Sequence, residues 1–77
     1  MPIPELDEVI LRRDLPDEGL RAGDVGVVVH AYPSGRAYEV EVMTADGDTV
    51  AVLSLDAADV EPLAGRRILN ARPLAAG

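Results

Sequence analysis

The sequence predicts an all-β protein, and three observations support this prediction. Apolar residues gather in five short runs that are rich in valine, isoleucine, leucine and tyrosine, the composition typical of β-strands. Proline and glycine separate these runs and indicate turns. No window of the chain has the apolar period of a long amphipathic helix. The 77 residues suffice for one small domain.

Each run is a predicted strand, and the segments between the runs fit turns of different lengths. The predicted strands are Glu8–Arg12, Val25–Ala31, Ala37–Met43, Thr49–Leu55 and Val60–Leu63. A long loop, residues 13–24, joins the first two strands, and Gly35 closes a short turn before the third. Asp56–Asp59 is too short for an α-helix and predicts one 3₁₀ turn with Asp56 as its cap.

The Asp46-Gly47 pair predicts a hairpin with a two-residue type I′ loop and therefore a register. This loop places Ala45 opposite Asp48, Thr44 opposite Thr49, Val42 opposite Ala51, Val40 opposite Leu53 and Tyr38 opposite Leu55. The other face receives Met43 with Val50, Glu41 with Val52, and Glu39 with Ser54. A slip of one residue would bury Glu39 and Glu41, so the register is strongly specified. In the second strand, we expect Val25, Val27 and Val29 to point inward together.

This order of strands and turns is typical of an SH3-like barrel. Closing the sheet on itself removes exposed edges that so short a chain could not otherwise cover. We predict one SH3-like domain over residues 1–77, with its core at about residues 5–63 and a C-terminal extension at residues 64–77. Within the extension, Arg66–Arg72 is a candidate sixth strand along an edge, and we expect Pro73–Gly77 to fray.

The composition excludes several classes of function. The chain has fourteen acidic residues, seven arginines, a net charge of −7, and neither lysine nor cysteine. Disulfide scaffolds and cysteine-ligated zinc sites need cysteine, and a Walker phosphate-binding loop needs lysine. The acidic balance disfavours nucleic acid as a partner. Nothing indicates a cofactor.

The chain carries no predicted targeting or membrane segment. Residues 1–5 lack the basic and apolar regions of a signal peptide. The apolar stretches are far shorter than the ~18 residues of a membrane span. We expect a cytoplasmic protein that does not contact membrane.

Three local patterns could indicate chemistry, but each has a simpler structural interpretation. Residues 22–28 are similar to the KOW motif of RNA-associated barrels, yet Gly23 and Gly26 would also shape a loop-to-strand junction. The acidic loop residues fit no calcium-binding spacing. His30 has no serine or threonine at a spacing that indicates a triad, and its parity in the strand predicts exposure. We expect no catalytic activity.

The outer face of the predicted hairpin is less polar than a solvated surface would be. An apolar centre with an acidic rim is a candidate protein-binding surface. The candidate interaction residues are Glu39, Glu41, Met43, Val50 and Val52 on the hairpin, with Asp14, Asp17 and Glu18 in the acidic loop. The alternative is that sheet coiling turns Val50 and Val52 inward, or that Ile68 and Leu69 cover them.

A set of short motifs extends along most of the chain: Glu5-Leu6-Asp7, Val9-Ile10-Leu11, Asp14-Leu15-Pro16, Gly19-Leu20, Ala22–Gly26, Val28-Val29, Ala37–Glu41, Asp46-Gly47 and Leu55–Leu63. With these motifs, over about residues 5–72, the chain resembles the small bacterial family known as domain of unknown function 4926. This resemblance implies a stand-alone SH3-like protein without an assigned enzyme activity. Members look like the acidic half of two-gene pairs, similar in arrangement to antitoxins or immunity proteins.

Two functions follow as hypotheses. The first is a non-catalytic acidic protein-interaction module, antitoxin- or immunity-like, that binds a basic partner protein. The alternative is a KOW-like barrel associated with nucleic acid or ribonucleoprotein. Self-association into a homodimer stays open.

Overall fold

Five antiparallel strands form a single sheet in this computed structural model, which describes residues 2–74. The strands are β1 (Glu8–Leu11), β2 (Val25–Ala31), β3 (Ala37–Met43), β4 (Thr49–Asp56) and β5 (Val60–Pro62). Their order across the sheet is β4-β3-β2-β1-β5. The predicted all-β architecture is confirmed, and each strand lies within one residue of its predicted bounds. This strand order is compatible with the SH3-like arrangement.

Two 3₁₀ turns connect the strands. The predicted turn before β5 spans Ala57–Asp59, and the Asp59 carboxylate accepts a hydrogen bond from the Asp56 N–H at 3.3 Å. It carries the chain from the end of β4 to β5, which pairs with β1. A second turn, Pro16–Glu18, lies in the loop between β1 and β2 and is absent from the sequence prediction. Pro16 favours it because proline fixes φ at the start of such a turn.

The core lies on one face of the curled sheet. Val9, Leu11, Val28 and Val40 are its most deeply buried side chains. The predicted inner face of the hairpin is confirmed. Tyr38, Val40, Val42 and Leu55 are buried, while Ala51 and Leu53 are half-buried and pack against the core.

Residues from outside the sheet complete the core. Ile3 and Leu20 are both buried, and neither was placed in the core by the strand pattern. The Ile3 N–H donates a 2.9 Å hydrogen bond to the buried Tyr38 hydroxyl. The N-terminal arm therefore closes over β3 before residue 5, where the predicted core begins.

The predicted orientation of β2 is wrong. Val28 is fully buried, whereas Val29 is 38% exposed and Val25 and Val27 are half-buried. The inward positions are Gly26 and Val28, and the register with β3 then shifts between Val28 and His30, leaving Val29 in a β-bulge. Residues 25–29 are all apolar or small, and His30, the one polar residue of β2, follows the bulge, so alternation could not show which face is inward.

The predicted loop of the β3–β4 hairpin is also wrong, although most of its register is right. Gly47 has a φ of +92°, but Asp46 does not have the positive φ that a type I′ loop requires. The Gly47 N–H donates to the Thr44 carbonyl at 2.9 Å, and the Thr44 N–H donates to the Asp48 carbonyl at 2.8 Å. The loop is therefore three residues long, with glycine in the left-handed position.

A β-bulge in β4 compensates for the longer loop. Met43 pairs with Thr49 instead of Val50, and Val42 pairs with Ala51 as predicted. Val50 is the additional residue in β4. From Val42 outward, the pairs predicted on both faces are confirmed.

The C-terminal segment, residues 63–74, contains no strand. The candidate sixth strand over Arg66–Arg72 is therefore absent from this chain. Ile68 is 95% exposed and Leu69 is 76% exposed, so neither covers the hairpin. The prediction that Pro73–Gly77 frays concerns residues 75–77 as well, and these lie outside the described residues.

Substituting Gly26→Ala should destabilise the protein by about 1–3 kcal/mol, as overpacking does. A Cβ at residue 26 would lie 2.5 Å from Val40 Cγ1 and 3.0 Å from the Glu41 carbonyl oxygen. Urea denaturation would measure the loss. The double variant Gly26→Ala/Val40→Ala should lose less than the two single variants together, because the new methyl group enters the vacated space. Full additivity would contradict the contact.

Substituting Gly47→Val should cost roughly 1–2 kcal/mol through backbone strain at positive φ. No atom beyond its two chain neighbours lies within 4 Å of a Cβ built at Gly47, so contact of the Cβ with distant residues does not add to this cost. The matched control Gly47→Asn should cost less, because asparagine tolerates this conformation better. Equal stability of the valine variant and the parent in urea denaturation would contradict the turn geometry.

Candidate functional site

The candidate interaction surface lies on the face of β3 and β4 that points away from the core. We call Glu39, Glu41, Met43 and Val52 the outer face. Met43 is 44% exposed and Val52 is 53% exposed, while both glutamates are half-buried. Val52 lies opposite Glu41 in the register of β3 and β4. The structure thus places an apolar group beside a carboxylate on an accessible face.

The Glu41 side chain is held in place by a threonine. Thr49 Oγ1 donates a 2.6 Å hydrogen bond to Glu41 Oε2. Glu41 lies between Val27 on β2 and Val52 on β4, its two partners across the sheet. This arrangement fixes the carboxylate between two aliphatic side chains. The sequence did not reveal this hydrogen bond, although the predicted hairpin register placed Thr49 on the strand next to Glu41.

Val50 does not belong to the outer face, contrary to the prediction. It is half-buried and packs against the core. The bulge in β4 is the physical reason, because an additional residue changes which side chains face inward. The alternative interpretation was therefore right for Val50 and wrong for Val52, which stays exposed.

The acidic loop residues lie in the connection between β1 and β2, not on the outer face. Asp14 Oδ1 accepts a 2.9 Å hydrogen bond from the Ala22 N–H, which braces the loop internally. Asp17 and Glu18 lie in the 3₁₀ turn and are exposed. The predicted interaction residues therefore form two separate groups.

His30 is exposed and lies beside Glu5 and Tyr32. Its Nδ1 lies 3.4 Å from Glu5 Oε1, and its ring packs edge-to-face on Tyr32 with 4.7 Å between centroids. The bulge at Val29 turns His30 outward, so its exposure is as predicted although the predicted parity was wrong. Ser34 Oγ accepts a 3.1 Å bond from the Arg36 N–H within a turn. In residues 2–74, no hydrogen bond joins His30 to a serine.

The arginine ion pairs lie near the β1–β5 edge of the sheet, away from β3 and β4. Arg12 Nε lies 3.6 Å from Glu61 Oε2, and Arg67 pairs with the same carboxylate. Arg13 Nε donates a 2.9 Å hydrogen bond to Asp59 Oδ1, and this bond is the main reason that the pKa of Asp59 is lowered. The described arginine pairs thus belong to β1, β5 and the adjoining segments.

The most extensive of these pairs ties the C-terminal segment to the loop before β2. Arg72 Nε donates to Asp24 Oδ1 at 3.0 Å, and its Nη2 donates to Asp24 Oδ2 at 2.7 Å and to the Gly19 carbonyl at 3.1 Å. Asp24 Oδ2 also accepts a 2.8 Å bond from the Arg21 N–H. The Arg72 hydrogen bond is the largest cause of the lowered pKa of Asp24, and burial opposes it. Arg72 therefore contributes to the order of the loop.

Across residues 2–74, histidine and carboxylate side chains form no group of three that could hold a metal ion. No helix in that range has the length and apolar character needed to cross a membrane.

Comparison with known proteins identifies a family. The sequence model of a family described as a domain of unknown function (DUF4926) matches residues 5–62, which contain all five strands. No curated protein and no solved structure matches the chain. The C-terminal segment with Arg72 lies outside the matched region.

Substituting Arg72→Gln should make stability less dependent on acidity. In the parent, the folded pKa of Asp24 is depressed, so its contribution is present above the ordinary aspartate range near 4 and disappears as pH falls through the folded value. The parent should exceed the variant most at neutral pH, and the two should converge in acid. Thermal unfolding from pH 7 to pH 2 would measure this. Arg66→Gln is the matched control, and a constant gap at every pH would contradict the prediction.

Proposed function

Because the chain belongs to the DUF4926 family, whose description gives no activity, we propose its function from its own surface: it is a non-catalytic acidic module that binds a basic partner protein. The observation that carries the proposal is the outer face, where exposed Val52 and Met43 lie beside Glu39 and Glu41. An apolar centre with a charged rim is the usual layout of a protein-binding patch.

The distribution of charge supports a basic partner. The net charge of −7 favours association with a positive surface and speeds the encounter. The described arginine pairs neutralise Asp24, Asp59 and Glu61, which lie away from the outer face. Glu39 and Glu41 form no ion pair within residues 2–74, so they stay available for cations of a partner.

The acidic loop has a different role in this proposal. Asp17 and Glu18 are exposed but separate from the apolar centre. Charges outside the buried centre of an interface accelerate the encounter of the two proteins and contribute little to holding the complex together. We propose that the loop steers the partner and that Val52 and Met43 anchor it.

The biological setting that we propose is a bacterial two-gene pair in the cytoplasm, with this chain as the antitoxin- or immunity-like member. A compact acidic binder that covers a basic surface of a toxin or enzyme would suit that role. The support is the charge and the outer face, together with the family resemblance.

The alternative, a KOW-like module for nucleic acid, rests on the glycine pattern at residues 22–28, which has a simpler structural explanation. Gly26 packs against Val40, and Gly23 has a φ of +96°, so both glycines have a role within the fold. Phosphate would also meet the unneutralised carboxylates.

Binding of the partner should weaken sharply as salt rises, because exposed charges are screened over ~10 Å at 0.1 M salt. The partner would be captured from an extract of the native host on immobilised chain and then purified. Neutralising Asp17 and Glu18 should mainly slow association, measured by stopped-flow kinetics. Neutralising Asp46 in the hairpin loop is the matched control. Binding that is independent of salt would contradict the proposal.

Substituting Val52→Arg should instead speed dissociation by about tenfold or more, because it puts a charge into the dehydrated centre of the interface. Ala45→Arg, an exposed change in the hairpin loop, is the control and should have little effect. Both variants should keep the melting temperature of the parent, since both positions are exposed. A Val52→Arg variant that binds as tightly as the parent would overturn the outer face as the site.

A further inference from the structure

Within residues 2–74 no strand pairs with the outer edge of β4, and beyond the bulge at Val50 this edge lacks the features that normally prevent pairing with another strand. β4 is an outermost strand of the sheet, and it is eight residues long. Residues 49–55 contain neither a charged side chain nor proline. Natural edge strands are usually shortened, charged or interrupted by proline, since their unpaired N–H and C=O groups can accept a further strand. This edge can therefore take an extended segment.

The C-terminal segment has the chemistry to occupy such an edge. Residues 66–70 read Arg-Arg-Ile-Leu-Asn, and Ile68 and Leu69 are nearly fully exposed. Arg67 and Arg72 hold the segment to its own domain at Glu61 and Asp24. Between these two anchors, the segment holds its apolar pair out to solvent.

The charges of the two elements are complementary. All fourteen acidic side chains lie in residues 1–61, and residues 62–77 carry three arginines and no acid. Glu39 and Glu41 lie on β3, opposite Ser54 and Val52 of β4, so a long arginine side chain of an added strand would have to reach across β4 to approach them. Arg66 forms no ion pair within the described residues, so it can approach these glutamates.

We propose that residues 66–70 of one copy add as a strand to the β4 edge of a second copy. Ile68 then packs beside Val52, and Arg66 lies near Glu41 and Glu39. The sixth strand that the sequence indicates thus forms between chains instead of within one. The proposal does not depend on a basic partner protein, although it shares Val52 with the proposed partner site.

Disulfide cross-linking tests the contact directly, because the natural chain contains no cysteine. Val52→Cys and Ile68→Cys proteins would be mixed in equal amounts and oxidised. We expect a covalent dimer in this mixture at a rate several-fold above that of a control mixture of Val52→Cys with Leu74→Cys, which is also exposed. Equal rates in the two mixtures would overturn the proposal. So would faster cross-linking of Val52→Cys alone, which would indicate β4-to-β4 pairing.

The charge contact is tested by light scattering of the chain without cysteines. The parent should show a concentration-dependent mass above 8.1 kDa. Arg66→Glu should reduce this association, and adding Glu41→Arg should restore it. Arg36→Glu, which makes the same charge change in another loop, is the control. If the parent keeps the mass of a monomer at millimolar concentration, the proposal of self-association is overturned, and the proposal of partner binding is unaffected.

Discussion

The close approach of β2 to β3 at Gly26 is the constraint on which much of the sheet depends. The absence of a side chain there lets Val40 and the Glu41 carbonyl come within contact distance of the Gly26 backbone. With Gly26 inward, Val28 must also face the core, and it is completely buried. The bulge at Val29 then reverses the alternation and sends His30 outward. Gly26 and the bulge at Val29 together determine which side chains of β2 are buried and which are exposed.

The placement of arginine organises the remaining surface. Ion pairs fasten β1, β5 and the C-terminal segment, with Arg72 binding both Asp24 and the Gly19 carbonyl. β3 and β4 receive none of the described pairs, so their glutamates lie beside exposed aliphatic side chains. A chain with twice as many acids as bases therefore does not present a uniform negative surface. The described arginine ion pairs are concentrated at β1, β5 and the C-terminal segment, whereas the glutamates of β3 have none, and the proposed interactions use those glutamates.

Partner binding and self-association compete for Val52 under the two proposals. A segment of a second copy on the β4 edge would cover the apolar centre that a basic partner would need. Self-association would then lower the apparent affinity for the partner, because only the free face can bind it. An exposed neutral edge would in this way be protected when no partner is present.

Alternation and turn residues are local signals, and they predicted the strands, the 3₁₀ turn before β5 and the inner face of the β3–β4 hairpin correctly. The sequence could not orient β2, because residues 25–29 are all apolar or small and the bulge at Val29 shifts His30 out of the alternation. It also could not reveal the longer hairpin loop and the bulge at Val50, since both depend on hydrogen bonds across strands. The two changes shift the register in opposite directions and leave the pairs from Val42 outward as predicted. The exposure of Val52 and the attachment of Arg72 to Asp24 likewise rest on contacts between distant residues. Tertiary structure decided these features because bulges and long-range ion pairs leave no periodic pattern in the chain.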